Sequence, residues 1–387
     1  MLDSEFGFEN MRLAELGAGA TAREIAQQPA VWDQVLTLVR QREHEIALFL
    51  KPLFANPELE IILTGAGTSA FIGQCLAPAI LRKMKGRIVA VATTDLVSGP
   101  DSYFSKNTPT LLVSFARSGS SPESVAALEL ADQIVGTTCH HLIFTCNKNG
   151  ELHRLYESQN NALSIVLPEE THDRAFAMTS SFSSMLLSGA TVFGVIEPRN
   201  YGRYSAAGED VMKRAPSVVD VLAQSGFERV VYLGSNELAG LAREASLKLL
   251  ELSDGQIVGC FDSPLGFRHG PKTLINEKTL VVVLVSNNSY TRQYDIDLLR
   301  EVRRDGKAAG VLALAANTVN LPAHEDNFIV SHLADATDLE LVLVYAVFAQ
   351  IFALLQSLRL GIRSDTPSVS GTVNRVVQGV TIYDWKG

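Results

Sequence analysis

Three serines stand close together in the sequence, Ser118, Ser120 and Ser121, between an apolar run and Pro122. Proline is tolerated at the first position of a helix, so a helix is predicted to begin at Pro122 with Ser121 as its N-cap. The loop then combines three hydroxyls, a flexible Gly119 and open backbone N–H groups at a helix N-terminus, which together suit an anion. An ordinary capped helix needs one hydroxyl, so the serine density favours an anion-binding loop.

A glycine-rich turn follows an earlier apolar run and contains Gly65, Gly67 and Ala70. Its G-x-G-x-x-A spacing also occurs in dinucleotide-binding folds, which makes a nicotinamide enzyme an alternative. That alternative expects an acidic residue about 20 positions further on, where Asp95 is only loosely placed, and it leaves the serine loop unexplained. A small phosphate ester held at the ends of two strands accounts for both loops.

One predicted helix carries three charged side chains on a single face. Glu244, Lys248 and Glu251 are spaced i, i+4 and i+7. The spacing alone also fits a solvated stripe of ion pairs. Leucines surround Lys248 and Glu251, however, and an acid at the apolar end of a helix can acquire a raised pKa and act as a proton shuttle.

His269 lies just before Gly270 and Pro271, a pair that predicts a sharp turn and the start of a new helix. A helix N-terminus opposes protonation of a nearby imidazole, and a neutral imidazole can move a proton at neutral pH. A lone histidine in such a place is more often structural. The hypothesis that His269 takes part in proton transfer therefore depends on its occurrence together with Glu251.

The composition limits the classes of function. With 47% apolar and 19% charged residues in 387, a globular protein of two or three domains is expected. The net charge of −9 argues against nucleic acid as a partner. No signal peptide is recognisable, and the apolar run 341–355 is shorter than the ~20 residues of a membrane span. A buried helix, no membrane association and a cytoplasmic location are predicted.

The four cysteines form no CxxC pair, and several lie in apolar runs, which fits free thiols in a reducing compartment. Cys139, His140, His141 and Cys146 are close enough in sequence to be considered as metal ligands. Their spacing matches no usual zinc pattern, so a loop leading into a strand is preferred and no metal is predicted.

Short β-branched runs alternate with helical segments through most of the chain, which indicates a parallel sheet covered on both faces. The predicted elements of the first half are strands at 60–64, 87–92, 110–115 and 142–146 and a helix at 71–84. The pattern then repeats, because the strands that begin at Arg229 and Thr279 follow those at Glu60 and Thr110 by one and the same interval. A duplicated α/β domain is therefore predicted.

The chain is expected to divide into four parts. These are an N-terminal helical segment 1–55, a first domain 56–205, a second domain 220–363 and a tail 364–387 over the active site. The helical segment should be interrupted near Pro29, and a linker is predicted near 198–217 because it contains Gly202, Gly208 and Pro216.

These motifs together resemble the SIS (sugar isomerase) family over about residues 50–387. The resemblance implies two doubly wound parallel-sheet SIS domains in tandem, each a three-layer α/β/α arrangement. The chain is similar to the isomerase half of glucosamine-6-phosphate synthase. Its tail and its Phe-Arg-His-Gly-Pro segment look most like the AgaS branch of the family. A hexose or hexosamine 6-phosphate is the implied substrate, and no cofactor is implied.

By this resemblance, Thr68 and Ser69 in the glycine turn and Ser118 and Ser121 in the serine loop hold the phosphate. Arg117 stands where the family has glutamine, and we expect it to supply a charge-assisted contact instead. The other candidates for substrate binding are Ser120, Asp173, Thr179, Ser180, Arg268 and Gln378.

The resemblance also assigns the chemistry. Glu251 would move the proton between C1 and C2, Lys248 would position or neutralise the developing enolate, and His269 would assist ring opening. In the related synthase this histidine comes from the neighbouring subunit, so a homodimer or higher homo-oligomer with an active site at the subunit interface is implied. Gln378 aligns with the synthase lysine that forms a Schiff base, and the chain lacks a glutaminase domain.

Members of the AgaS branch act in galactosamine catabolism. The predicted reaction is therefore deamination with isomerisation, from galactosamine 6-phosphate and water to tagatose 6-phosphate and ammonia. A tagatose-6-phosphate ketose/aldose isomerase without deamination is the alternative, since the same enolisation serves both. A non-catalytic sugar-phosphate sensor is a third hypothesis, and no motif reports the orientation of the C4 hydroxyl.

Overall fold

The computed structural model describes residues 4–84, 86–196, 201–377 and 379–387. Two compact units are present, and each is described by itself. The first-sheet unit comprises Val31–His172, Ser180–Val195 and Val373–Gly387. The second-sheet unit comprises Met1–Ala30, Asp173–Thr179 and Ile196–Thr372.

The elements are numbered in chain order. The strands are β1 Ser4–Glu5, β2 Phe8–Glu9, β3 Glu60–Gly65, β4 Arg87–Ala92, β5 Thr110–Ala116, β6 Cys139–Thr145, β7 Ala162–Val166, β8 Arg229–Leu233, β9 Val258–Asp262, β10 Thr279–Leu284, β11 Gly310–Ala315 and β12 Asn327–Ile329. The α-helices are α1 Asn10–Glu15, α2 Gly19–Ala26, α3 Gln28–Gln41, α4 Glu43–Phe54, α5 Thr68–Met84, α6 Thr93–Ser98, α7 Pro122–Val135, α8 Glu151–Tyr156, α9 Ser180–Val192, α10 Tyr201–Ala223, α11 Glu237–Leu252, α12 Pro264–Phe267, α13 Thr291–Asp305 and α14 Asp338–Arg359.

The first-sheet unit is built on a parallel sheet with the order β4-β3-β5-β6-β7. Alternate strand residues face opposite sides of the sheet, so both sides need cover. Leu112 and Ile143 pack with α6 and α7 side chains in one core cluster. On the other face, α5 and α9 pack together, and Gly189 of α9 lies against Phe115. This is the predicted three-layer α/β/α arrangement.

The second-sheet unit repeats the architecture with the strand order β9-β8-β10-β11-β12. One face of this sheet packs on α13, through Val281 and Val283 against Ile296 and Leu299. On the other face, α11 packs against β8 and β9, and α14 packs against both α10 and α11. Helices thus supply the same layers as in the first-sheet unit.

The two sheets share strand register as well as order. Glu60 pairs with Thr110 in the first sheet, and Arg229 pairs with Thr279 in the second. Both members of the second pair follow their counterparts by the same interval in the chain, as the sequence repeat requires. The prediction of two doubly wound parallel-sheet domains in tandem is confirmed.

The predicted linker near 198–217 is wrong over its described part. Residues Tyr201–Ala223 form a single helix, α10, that contains Gly202, Gly208 and Pro216. The buried side chains of α10 recur at helical spacing, and the helix packs along α14. Tertiary packing therefore overrides the weak helix propensity of glycine and proline. The predicted break between two helices does exist, but it falls at Gln27, between α2 and α3. Pro29 and the three residues after it, predicted to form the break, lie in α3, where proline is tolerated in the first turn.

Helix α14 contains the apolar run 341–355. It is long and apolar enough to cross a membrane, but 94% of its most apolar window is buried inside the protein. Thr337 caps its N-terminus through a capping box with Glu340. Its apolar side chains are therefore covered by protein, as predicted for a buried helix.

Candidate active site

The two predicted anion-binding loops lie at the same edge of the first sheet. The strands β3 and β5 are neighbours, and the chain leaves them in opposite directions, toward β4 and toward β6. This reversal is the topological switch point, where doubly wound sheets bind ligands beyond the carboxyl ends of the strands. The glycine turn follows β3, and the serine loop follows β5.

The glycine turn brings a helix N-terminus close to the end of β3. A Cβ on Gly65 would lie 2.6 Å from the carbonyl carbon of Ser69, so only glycine fits there. Gly67 has φ +54°, in the left-handed region that glycine adopts without strain. Thr68 and Ser69 are consequently placed, buried, in the first turn of α5.

Residues 147–152 donate hydrogen bonds to the serine loop and fix its conformation. Asn147 Nδ2 donates to the Ser118 carbonyl at 2.9 Å, and the Leu152 amide donates to the Gly119 carbonyl at 2.8 Å. The Ser120 hydroxyl accepts from the Glu151 amide at 3.1 Å. These contacts fix the loop through two carbonyl oxygens and one hydroxyl oxygen, and they use none of its amide donors.

Three backbone amides of this loop are open within the described part of the chain. There, the amides of Ser118, Gly119 and Ser121 donate to no acceptor. Gly119 has φ +64°, which helps to form a concave run of N–H groups. Pro122 begins α7 with Ser121 as N-cap, as predicted, although the Ser121 hydroxyl donates to Ser124 Oγ at 2.6 Å. Such a loop can bind an oxyanion such as phosphate.

Arg117 joins this loop to the C-terminal segment. Its side chain is buried, and one guanidinium nitrogen donates to the Arg375 carbonyl at 2.7 Å. Further along the tail, Trp385 packs against the core cluster beneath α7, and Gln133 Nε2 donates to its carbonyl at 3.3 Å. A role for Arg117 in substrate binding stays a prediction. Gln378 lies outside the described residues.

The charged face of α11 is buried rather than solvated. Lys248 is 1% exposed, its Nζ contacts the Glu251 carboxylate, and Glu244 Oε1 lies 3.7 Å from the same nitrogen. Glu251 retains some exposure, whereas the Glu244 side chain is buried. The interpretation as a surface stripe of ion pairs is excluded. A partly exposed carboxylate beside a buried ammonium can accept a proton next to a charge that stabilises an enolate.

The segment that contains His269 forms two short turns. Helix α12 precedes it, and Pro271–Leu274 form a 3₁₀ helix of four residues behind Gly270. The His269 side chain is exposed. Arg268, predicted to bind substrate, instead forms an ion pair with Glu301 of α13 at 2.9 Å in this structure.

The segment Asp173–Thr179 is stabilised by two buried acids. Asp173 accepts from the Thr179 amide at 2.7 Å and from its hydroxyl at 3.1 Å. Glu24 of α2 accepts from the amides of Arg174 and Ala175. Burial chiefly, and then the Asp173 carboxylate, raises the pKa of Glu24 to about 7. No sequence motif marks Glu24, because its partners are far away in the chain.

Ser180, the last candidate in that region, is buried at the start of α9 in the first-sheet unit. Its role in substrate binding stays a prediction. The structure places the candidates in two groups. The first-sheet unit contains Thr68, Ser69, Arg117, Ser118, Ser120, Ser121 and Ser180. The second-sheet unit contains Asp173, Thr179, Lys248, Glu251, Arg268 and His269.

The cysteine–histidine segment contributes to a hydrogen-bonded cluster at the opposite edge of the first sheet. His141 Nε2 and the Tyr156 hydroxyl each lie 2.7 Å from an oxygen of Asp132, and Cys139 Sγ lies 3.6 Å from His141 Nε2. These ligand-type atoms already bind one another. Burial raises the pKa of the Cys139 thiol, which disfavours the thiolate that a metal would need.

The chain is similar to known proteins over almost its whole length. A family model described as "SIS domain" matches residues 53–193. The D-galactosamine-6-phosphate deaminase AgaS of Escherichia coli is 46% identical over 98% of this chain and 99% of its own, and that of a Shewanella species is 40% identical over 98% and 96%. A crystal structure of tagatose-6-phosphate ketose/aldose isomerase from Escherichia coli superposes with TM-score 0.85 and 42% identity, covering 95% of this chain and 97% of the other.

Proposed function

The chain belongs to the AgaS branch of the tandem SIS-domain family, and from this premise we propose that it is a galactosamine-6-phosphate deaminase/isomerase. The reaction converts galactosamine 6-phosphate and water to tagatose 6-phosphate and ammonia. The observation that supports it most directly is the presence, in one chain, of both a loop with open amides, Ser118–Ser121, and a buried lysine, Lys248, in contact with Glu251.

In this proposal, the phosphate binds at the switch point of the first sheet. Ser118 donates from its hydroxyl and its amide, Ser121 donates from its amide, and Thr68 and Ser69 donate from the first turn of α5. Two helix N-termini, of α5 and α7, then face the same anion, whose charge their dipoles favour.

The proposed chemistry needs one base and one cation. His269 assists opening of the sugar ring, which exposes the C1 aldehyde. Glu251 removes the C2 proton, and the C2–H electrons form the C1–C2 double bond of an enolamine. The Lys248 ammonium stabilises the negative charge that develops on the C1 oxygen.

Deamination follows from reprotonation. When the proton returns at C1, the C2–N bond becomes an imine of the ketose. Water adds to this imine, and ammonia leaves with the nitrogen that the substrate carried. No cofactor takes part, because the hydrogen that leaves C2 returns at C1 as a proton and no net oxidation occurs.

An ammonia-release assay tests this function. Galactosamine, glucosamine and mannosamine 6-phosphates should be compared with aldose 6-phosphates that carry no nitrogen. We expect ammonia and tagatose 6-phosphate from galactosamine 6-phosphate. Absence of ammonia from every hexosamine phosphate, with interconversion of tagatose 6-phosphate and an aldose phosphate, would instead identify a plain isomerase.

The plain isomerase is the second candidate, because a similar solved structure carries that name. Two other hypotheses lose support. A nicotinamide enzyme rests only on the glycine turn, and a non-catalytic sensor leaves the buried Lys248–Glu251 pair without a role. We further propose that the protein is cytoplasmic and forms a homodimer or higher homo-oligomer in which the partner chain supplies His269.

A further inference from the structure

The switch point of the second sheet has the same backbone plan as the anion-binding switch point of the first. Helices α5 and α7 begin at Thr68 and Pro122. Helices α11 and α13 begin at Glu237 and Thr291, each displaced along the chain by the interval that separates the paired strands. Gly67 and its counterpart Asn236 have φ +54° and +52°. Duplication has therefore preserved the turn geometry and the position of both helix N-termini.

The side chains at this second switch point are acids where the first has hydroxyls. Thr68 corresponds to Glu237, which is buried. Asp295, 0% exposed, connects the two second-sheet loops, since it accepts from the Ser286 amide at 2.9 Å and from the Ser235 hydroxyl at 3.2 Å. The second-sheet loops thus bind carboxylates of the protein itself, whereas the first-sheet loop has open amides among the described residues.

One backbone amide of the first-sheet loop has no acceptor within the described part of the chain, whereas its counterpart in the second-sheet loop has one. The Ser118 amide is open among the described residues. Its counterpart, the Asn287 amide, donates to Asp338 Oδ1 at 2.7 Å, and the neighbouring Ser286 hydroxyl donates to Asp338 Oδ2. Asp338 is 6% exposed, so both of its oxygens serve the loop rather than solvent.

Asp338 reaches this place because it is the first residue of α14. The corresponding helix of the first-sheet unit, the one that follows its last strand, is α9, and its first residue is Ser180. A serine side chain is shorter than an aspartate and carries no charge, so it supplies no competing anion. The two corresponding helices thus begin with a small neutral residue in one unit and a carboxylate in the other.

We infer that the second switch point is an anion-binding site whose place is permanently occupied by the protein's own Asp338 carboxylate. The carboxylate receives the amide and hydroxyl donors that an external phosphate would otherwise receive. Arg292 balances its charge and supports the loop, donating to the carbonyls of Ser286, Asn317 and Val319. Of the two switch points that the duplicated fold provides, the first is consequently open to an external anion and the second is closed to it.

A cavity lies beside this loop and reaches Asn287, which binds Asp338, and Arg292, which binds a loop carbonyl. Its volume is about 450 Å³, and Asn287, Ser289 and Arg292 are among the residues that line it. The ligand class is a small oxyanion, with inorganic phosphate as the probe. The inference concerns binding alone and does not depend on the proposed reaction.

The test replaces Asp338 with the residue found at the equivalent position. Asp338→Ser should bind one more phosphate per chain than the unmodified protein, measured by equilibrium dialysis or calorimetry at constant ionic strength. Asp338→Asn is the matched control, because its amide fills the same space, and it should bind no additional phosphate. The number of additional phosphates bound per chain is the difference from the unmodified protein. Any phosphate that binds at the first-sheet loop is present in both proteins and cancels.

Thermal unfolding provides the second measurement. In chloride, Asp338→Ser should melt roughly 5–10 °C lower, since two charge-assisted hydrogen bonds are lost. Phosphate should raise its midpoint more than that of Asp338→Asn or of the unmodified protein. Equal phosphate stoichiometry in all three proteins would overturn the inference. If Asp338→Ser folds only with phosphate present, the inference is supported, and if phosphate does not restore folding, it is rejected.

Discussion

The Lys248 ammonium and the Glu251 carboxylate contact each other one turn apart on α11, with Lys248 buried and Glu251 partly exposed. Glu244 lies on the other side of the ammonium. A buried ammonium is costly unless carboxylates accompany it, so the three side chains are best understood as one unit. In that unit Glu251 is the acid that a substrate can reach.

Replacing Glu251 tests its role as the proton shuttle. Glu251→Gln keeps the shape and removes the base, so turnover should fall by ~10²–10⁴ while substrate binding survives. Exchange of the C2 proton with deuterated solvent should be lost in parallel. Glu277→Gln, at an exposed position, is the control and should be unaffected. Exchange at the normal rate in Glu251→Gln would require a different base.

The serine loop should carry the recognition of phosphate. Replacing Ser118 and Ser121 with alanine removes the Ser118 hydroxyl donor and the Ser121–Ser124 hydrogen bond that supports the loop. KM should rise strongly, because phosphate oxygens would lose a partner and the loop that presents the amides would be less well fixed. The unphosphorylated amino sugar should bind poorly to the unmodified protein and be little affected by the change. Steady-state kinetics with both sugars decides the point. Equal affinity for the two sugars in the unmodified protein would exclude a phosphate site here.

Arg117 should hold the tail in place. Arg117→Ala removes the donor to the Arg375 carbonyl, so trypsin should cleave after Arg375 faster and turnover should fall roughly tenfold as water enters the site. The exposed Arg12, paired with Glu15, provides the control as Arg12→Ala. Mass spectrometry of the released peptide and turnover are measured on the same samples. Unchanged cleavage and turnover would separate Arg117 from the tail.

The structure also changes how the tail should be truncated. Asp365 accepts from the amides of Ala20 and Thr21, so removing everything after Ser364 would disrupt the second-sheet unit itself. Removing 373–387 retains these bonds and is the sharper variant for testing the tail's effect on activity.

The strands were predictable because each is a short apolar run that can be recognised locally. The strands at Glu60 and Thr110 are also repeated later in the chain, at Arg229 and Thr279, which supports their prediction. Helix α10 was not predictable from the sequence, since Gly208 and Pro216 argue locally against a helix. The helix forms because it packs along α14, which a local pattern does not reveal. The serine loop was recognisable from the spacing of Ser118, Ser121 and Pro122. The roles of Glu24 and Asp338 were hidden, because each binds amides that are distant in sequence.

Glu24 should make stability depend on pH. Burial raises its pKa in the folded protein from 4.5 to about 7, so the folded state binds the proton more tightly than the unfolded chain. Its contribution to the free energy of unfolding is complete below pH 4.5 and is lost as pH rises through 7. Urea denaturation across this range should show a smaller decline for Glu24→Gln. Glu58→Gln, at an exposed position, should leave the decline unchanged, and an unchanged decline in Glu24→Gln as well would contradict the assignment.

The reaction should proceed without a covalent bond between substrate and lysine. The substrate already carries nitrogen at C2, so enolisation by itself produces the imine that water hydrolyses, and Gln378 stands where the related synthase has its Schiff-base lysine. Lys248 is held by two carboxylates, which keeps its amine from attacking a carbonyl as long as it is protonated. Borohydride added during turnover should therefore leave the protein mass unchanged, while it reduces free sugar aldehyde or ketose. The related synthase, treated in parallel with its ketose substrate, serves as the positive control for trapping. A mass increase that maps to Lys248, or to any other lysine, would show that the imine nitrogen comes from the protein and not from the sugar.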